Sequence, residues 1–207
     1  MLHLNQLDTY INSGQYENEI HVLVKKAMHI VEKAIVANAR SKTIVFDVDE
    51  TILSNAPYIL ANKQFFLINK QHNGLGDLAQ SEFERLIAWQ HLGQCLPIKP
   101  MVDFYAWLLL KPVVVVFITA RTLSLKHATL KNLEAMKLPL PKVLFRDATH
   151  WPMPKLYKAA MRREIVDSGS DIILNIGDQP ADFEGGYWQE ALHIPNPFYQ
   201  SDPNAIY

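Results

Sequence analysis

The chain has 207 residues, 49% hydrophobic and 20% charged, which favours one globular domain with an insertion over two independent domains. A formal net charge of −1 gives no overall field that would favour a nucleic-acid polymer or an anionic membrane. A single cysteine, Cys95, excludes an internal disulfide and a cysteine-rich metal cluster.

Residues Glu17 to Arg40 place Ile20, Val24, Ala27, Val31, Ala34 and Ile35 at helical spacing, predicting a long amphipathic helix. Thr43 to Asp47 opens with a β-branched and aromatic run that predicts a buried strand. From Ser54 onward the pattern is irregular and helical, with Ser81-Glu82-Phe83-Glu84 fitting a capping box, and Met101 to Leu110 predicts another helix. Val113 to Ile118 reads as the second core strand, Leu123 to Met136 as a helix capped by Ser124, and Lys142 to Phe145 as the third strand. Leu156 to Asp167 predicts a helix ended by Gly169, Asp171 to Ile176 a fourth strand, and Ala191 to Ile194 a fifth.

Strand and helix alternate from residue 43 onward, the pattern of an α/β fold whose mostly parallel sheet carries helices on both faces. About 60 residues separate the first two strands, far more than a crossover requires. The expected division is an α/β core of residues 1–53 and 111–207 with a helical cap at 54–110. No apolar run approaches the roughly 18 residues of a membrane span. Met1 to Gln6 lacks the regions of an export signal. The expectation is a cytoplasmic protein, or a periplasmic or secreted one if a leader precedes this sequence. An apolar cap surface could support a homodimer.

The predicted strands end in polar groups: Asp47 and Asp49, then Thr119-Ala120-Arg121, then Arg146-Asp147, then Gly177-Asp178-Gln179-Pro180-Ala181-Asp182. In a parallel sheet these ends meet at one crevice. Alone, Asp47 and Asp49 would read as a helix cap or a solvated turn; four such ends together point to a site. Neighbouring carboxylates repel, so a cation or a proton must offset them, and an oxygen-rich ligand set favours Mg²⁺. Lys155 and Lys158 both lie on the helix that follows the third strand, and most lysines are simply solvated. Arg146 could bind a remote substrate group or pair with Asp147 or Glu164. The eight histidines show no paired metal spacing, and His150 reads as a surface residue.

Phe46-Asp47-Val48-Asp49-Glu50-Thr51, Phe117-Ile118-Thr119-Ala120-Arg121, Tyr157-Lys158 and Ile176 to Phe183 resemble the four ordered motifs of the haloacid dehalogenase (HAD) superfamily of phosphatases. The closer likeness is to its class B/C acid phosphatase branch, subfamily IIIB, which includes bacterial class C acid phosphatases and plant vegetative storage proteins. It extends from the helix before Thr43 to Pro195-Asn196-Pro197-Phe198-Tyr199. Two positions depart from the family pattern: Ala120 replaces a usual glycine, and Ile98-Lys99-Pro100 replaces a Pro-Gly turn.

The resemblance implies a Rossmann-like core and a Mg²⁺-dependent phosphomonoesterase of small organic phosphates or nucleoside monophosphates. A phosphotransferase using the same intermediate, or a non-catalytic storage or binding relative, is the alternative. Asp47 would attack phosphorus and be phosphorylated, while Asp49 would protonate the leaving oxygen and later take a proton from water. Asp47, Asp178 and, by resemblance, the backbone carbonyl of Asp49 would hold Mg²⁺. Thr119, Ala120 and Lys158 would bind the phosphoryl group, with Lys158 selected over Lys155 by the family's Tyr-Lys pattern. Asp182 and Thr51 would support these groups from behind, and Tyr58 is the preferred aromatic for stacking on substrate.

Overall fold

The computed structural model describes residues 4–37, 40–62 and 77–199. Its centre is β1 (Ser41–Phe46), buried at every position but the first, as expected of a parallel strand covered on both faces. Side chains alternate across it. Ile44 and Phe46 join one apolar cluster and Val45 joins another.

The other core strands are β4 (Val114–Thr122), β5 (Lys142–Arg146), β6 (Ser170–Gly177) and β7 (Glu190–His193). They form a five-stranded sheet in the order β5-β4-β1-β6-β7, with every neighbouring pair parallel. The chain runs outward from β1 to β5, then returns to the far side of β1 with β6. The reversal between β1 and β6 is where an open α/β sheet leaves a crevice at its carboxyl edge.

Helices cover both faces. On one lie α2 (Gln15–Ile35) and α5 (Lys99–Leu108), which bury Ile20, Val24, Ala27 and Val31 together with Met101, Phe104, Tyr105 and Leu108 against Phe46 and Phe117. Leu133 of α6 (Lys126–Glu134) joins the same layer. On the other face, α7 (Pro154–Asp167) packs Tyr157 against Val45, Val116, Ile118 and Ile172. α2 stops at Ile35, short of the expected Arg40, and Val36 beyond it is exposed.

The insertion leaves and re-enters through a two-stranded antiparallel neck, β2 (Leu53–Ser54) against β3 (Leu96–Pro97), which pairs Leu53 with Pro97. Between them lie α3 (Ala56–Ala61) and α4 (Asp77–Gln90). Part of the expected cap, residues 63–76, falls outside the described residues. α4 begins at Asp77, so Ser81 sits inside the helix and does not cap it. α5, grouped with the cap by the sequence, packs in the core layer beside α2. α6 is preceded by a 3-10 turn at Leu123–Leu125, with Ser124 Oγ bonded to Thr122 Oγ1 at 2.8 Å and no side-chain cap at the start of α6. The amino-terminal α1 (Leu4–Asn12), which sequence periodicity did not single out, seats Leu7 against Ile59 and Phe198. No helix among the described residues is long and apolar enough to cross a membrane.

Candidate active site

The ends of β1, β4 and β6 and the start of α7 converge at the reversal point. Asp47 leaves β1 with its N–H bonded to Ile176 C=O at 2.8 Å, so the backbone is fixed before the side chain projects. The carboxylate is buried, and Lys158 Nζ donates to its Oδ1 at 2.5 Å. The same ammonium donates to Asp182 Oδ1. One buried cation thus bridges two buried carboxylates delivered by different elements.

Asp182 is folded back by the loop after β6. Its Oδ2 accepts the N–H groups of Asp178 at 3.0 Å and Gln179 at 2.8 Å. Gly177 permits this, because a Cβ there would collide with the Asp182 carboxylate. Arg162, one turn beyond Lys158 on α7 and fully buried, donates to the carbonyls of Asp182, Glu184 and Gly186. Asn175 Nδ2 adds a bond to Asp182 C=O at 2.8 Å. The loop is therefore held by its backbone, which leaves its carboxylates aimed at the crevice.

Burial dominates the electrostatics. It pushes Asp47 up to about 7, with Asp182 and Asp49 adding to the rise and Lys158 opposing it. Asp178 is pushed well above its ordinary range, first by burial and then by Asp182 and Asp47. Lys158 behaves oppositely: burial would lower it, but Asp182 and Asp47 outweigh that and raise it, keeping it charged. The phenols of Tyr16 and Tyr199 are both raised, by burial and by nearby acids that include Asp178.

Asp49 lies in a different environment. Arg121 grips it with Nε on Oδ2 at 2.9 Å and Nη2 on Oδ1 at 2.7 Å. Asn55 Nδ2 and Gln90 Nε2 also donate to Oδ1, at 2.8 and 3.1 Å. Burial alone would raise this carboxyl; the Arg121 charge and the hydrogen bonds outweigh it and hold Asp49 below the usual range. Arg121 is itself fixed by Thr129 Oγ1 at 3.0 Å and Cys95 Sγ at 3.2 Å. Glu50, in the left-handed region at φ 50°, accepts from Ser54 Oγ at 2.9 Å and Asn55 N–H at 2.7 Å, which shapes the turn that brings Asn55 to Asp49.

Thr119 is fully buried, its Oγ1 accepting the Arg121 N–H at 3.1 Å, and a register shift between Thr119 and Thr122 bends β4 at this point. Ala120 follows in that bend, its carbonyl bonded to Arg146 Nε at 3.0 Å. Thr51 Oγ1 stands 3.5 Å from Asp47 Oδ2. Tyr58 lies on α3 with its ring 5.5 Å from Trp89. Two cations differ from expectation. Arg146 is buried and donates to the carbonyls of Ala120, Trp151 and Pro152, so it ties the loop after β5 to β4. Lys155 points to Glu184 at 3.4 Å. His150 is an exposed partner of Asp147 at 2.7 Å.

Sequence reasoning assigned no role to Asn55, Gln90, Arg162 or Asn196, and none to Arg121 beyond its place in a motif. Arg121 carried the best available signal, a cation two residues past a strand-end threonine.

Asp47, Asp178 and Asp182 each bring one oxygen within 4.8 Å of the others. Asp182 is committed to Lys158 and two backbone N–H groups. Asp178 takes its bonds from Gln179 and from Asn196, the latter at 2.7 Å, on Oδ2 alone. Two buried carboxylates whose proton affinity is raised first by burial and then by neighbouring acids, offering only oxygen, fit a hard divalent cation.

Known proteins resemble this chain over most of its length. Vegetative storage protein 1 of Arabidopsis thaliana is 27% identical over 194 residues, covering 93% of this chain and 67% of that protein. Acid phosphatase 1 of Solanum lycopersicum is 26% identical over 193 residues, 92% of this chain and 71% of that one. The structure of the class C acid phosphatase from Bacillus anthracis superposes with a TM-score of 0.69 at 22% identity, covering 93% of this chain and 82% of that one; a tungstate-bound form gives 0.67. The model for HAD superfamily, subfamily IIIB (acid phosphatase) matches residues 3–202, and the chain belongs to that family.

Proposed function

We propose that this phosphatase hydrolyses small organic phosphate monoesters, nucleoside monophosphates among them, through a phosphorylated Asp47. The observation that carries the reading is a buried nucleophile held by a lysine and set close to a second buried carboxylate. A divalent cation, Mg²⁺ by its preference for such oxygen donors, would be held by Asp47 and Asp178 and would offset the charge that opposes attack by one anion on another.

The chain's own groups supply the rest. Lys158 fixes the Asp47 oxygen and presents positive charge where the phosphoryl oxygens gather. Thr119 adds a hydroxyl where the register of β4 breaks, near its carboxyl end. As an Asp47 oxygen bonds to phosphorus, the ester P–O bond breaks and Asp49 gives its proton to the departing oxygen. Arrival of an anionic phosphoryl group beside Asp49 raises its proton affinity, the direction this step needs. Water then attacks phosphorus, Asp49 recovers a proton, and the Asp47 carboxylate is released. That tungstate, a phosphate-like oxyanion, is bound in the Bacillus anthracis enzyme supports this choice of ligand chemistry.

The test is a panel of phosphate esters assayed with and without Mg²⁺, on the wild type and on Asp47→Asn. Turnover that requires the cation and disappears in the variant is expected. Acid-quenched wild type should yield a phosphorylated peptide containing Asp47. Normal hydrolysis by Asp47→Asn would overturn the assignment, and no hydrolysis by the wild type would favour a storage role like that named for the plant relatives. Adding a nucleoside or sugar acceptor separates hydrolysis from phosphotransfer by product.

A further inference from the structure

Gln90 is the last residue of α4, so it belongs to the insertion, yet its side chain reaches the core site. It is buried, and its amide Nε2 donates both to Asp49 Oδ1 and to Asn55 Oδ1, each at 3.1 Å. Neighbouring contacts fix that end of the helix. Trp89 packs on Tyr58, and Gly93, at φ 65°, turns the chain with its N–H on the Gln90 carbonyl at 3.0 Å.

The two oxygens of Asp49 are treated unequally. Oδ1 takes donors from Arg121 Nη2, Asn55 Nδ2 and Gln90 Nε2, while Oδ2 takes Arg121 Nε. A carboxylate oxygen has two lone-pair sites. Oδ1 is therefore filled, and the vacant lone pair lies on Oδ2.

We propose that Gln90 is a positioning residue for proton transfer: by helping to fill Oδ1, the insertion fixes Asp49 so that Oδ2 alone carries the proton to and from the reacting oxygen. This rests on the reading of Asp49 as the proton carrier. It makes the placement of the insertion a condition for efficient chemistry as well as for substrate choice, because the amide of α4 completes the carboxylate's cradle. Without it, Asn55 loses the Gln90 donor on its Oδ1 and Asp49 keeps only the Arg121 fork and an unsupported Asn55 amide, so the carboxylate plane slackens and the proton is presented less squarely to the leaving oxygen.

The leaving group supplies the readout. A nitrophenolate departs with little protonation, whereas an alkoxide needs the proton as the bond breaks. For Gln90→Met, which keeps the volume and removes the donor, the ratio of kcat/KM for glycerol phosphate to that for p-nitrophenyl phosphate should fall roughly tenfold, an effect of the size of one lost bond to a charged group. The ratio cancels the concentration of folded enzyme, so partial loss of stability does not mimic the effect. Gln90→Leu, which removes the whole amide without adding charge, should move the ratio the same way. Equal losses on both esters in the two variants would make Gln90 a merely structural residue and overturn the proposal, as would no loss on either. Asp49→Asn is the control: if it leaves the ratio unchanged, the assignment of Asp49 has failed and not that of Gln90 alone.

Discussion

The raised proton affinity of Asp47 predicts how metal-free protein responds to pH. Its carboxyl is pushed from an ordinary 3.8 up to about 7 on folding, chiefly by burial. Three units at about 1.4 kcal/mol each make about 4 kcal/mol of linkage. Because the folded value lies above the unfolded one, the folded state binds this proton more tightly. The resulting stability is complete below pH 3.8 and is lost as pH rises through 7. Asp47→Asn removes the titration and keeps the shape. Urea unfolding in EDTA should therefore show the wild type losing about 4 kcal/mol relative to Asp47→Asn between pH 4 and pH 8. Adding Mg²⁺ at pH 8 should return stability to the wild type more than to the variant, since a cation replaces the proton. A stability difference independent of pH, or one that moves the other way, would show that burial does not strain this carboxylate.

Lys158→Ala should slow phosphoryl transfer by roughly 10²–10³-fold in single-turnover kinetics, the loss typical of a preorganised donor. Lys155→Ala should differ little, because its ion pair with the exposed Glu184 carboxylate stays open to solvent on that side and contributes at most about 1 kcal/mol. Asp178→Asn should raise the Mg²⁺ concentration for half-maximal activity by at least about tenfold, and an unchanged titration would remove Asp178 from the cation's shell. Arg162→Met strands the buried carbonyl of Asp182 and the partly buried ones of Glu184 and Gly186 and should cost about 3 kcal/mol in urea unfolding; full recovery in Arg162→Lys would show that charge, and not the forked geometry, holds the loop.

The layers of the fold were legible because a parallel strand buried on both faces announces itself. Val113 to Ile118 and Asp171 to Ile176 are apolar runs of strand length; the second lies within the observed strand, and the first overlaps β4, which starts one residue later at Val114 and continues to Thr122. The strand order was not legible, since nothing local to β1 says that β4 and β6 are its neighbours. β2 and β3 were also hidden: each has two residues, too few to show a period. Ser81 misled because a capping box is a pattern of four residues that a helix interior can satisfy by chance.

The positions of Asp47 and Asp178 could be anticipated because each sits at a strand end the chain itself marks, whereas Lys158 was separable from Lys155, in the same first turns of one helix, only through the resemblance to the Tyr-Lys pattern. The cradle around Asp49 could not be anticipated, for it joins residues 41 and 72 positions apart. Arg146 shows the limit of strand-end reasoning. It occupies a strand end as Arg121 does and is also buried, yet its Nε and Nη1 face carbonyls while Nε and Nη2 of Arg121 face a carboxylate. Since buried guanidinium groups must satisfy their donors either way, residue type and position cannot separate a loop clamp from a catalytic support. The acceptor decides: a cation spent on carbonyls holds backbone in place, whereas one spent on Asp49 sets the proton affinity of the group that the chemistry uses.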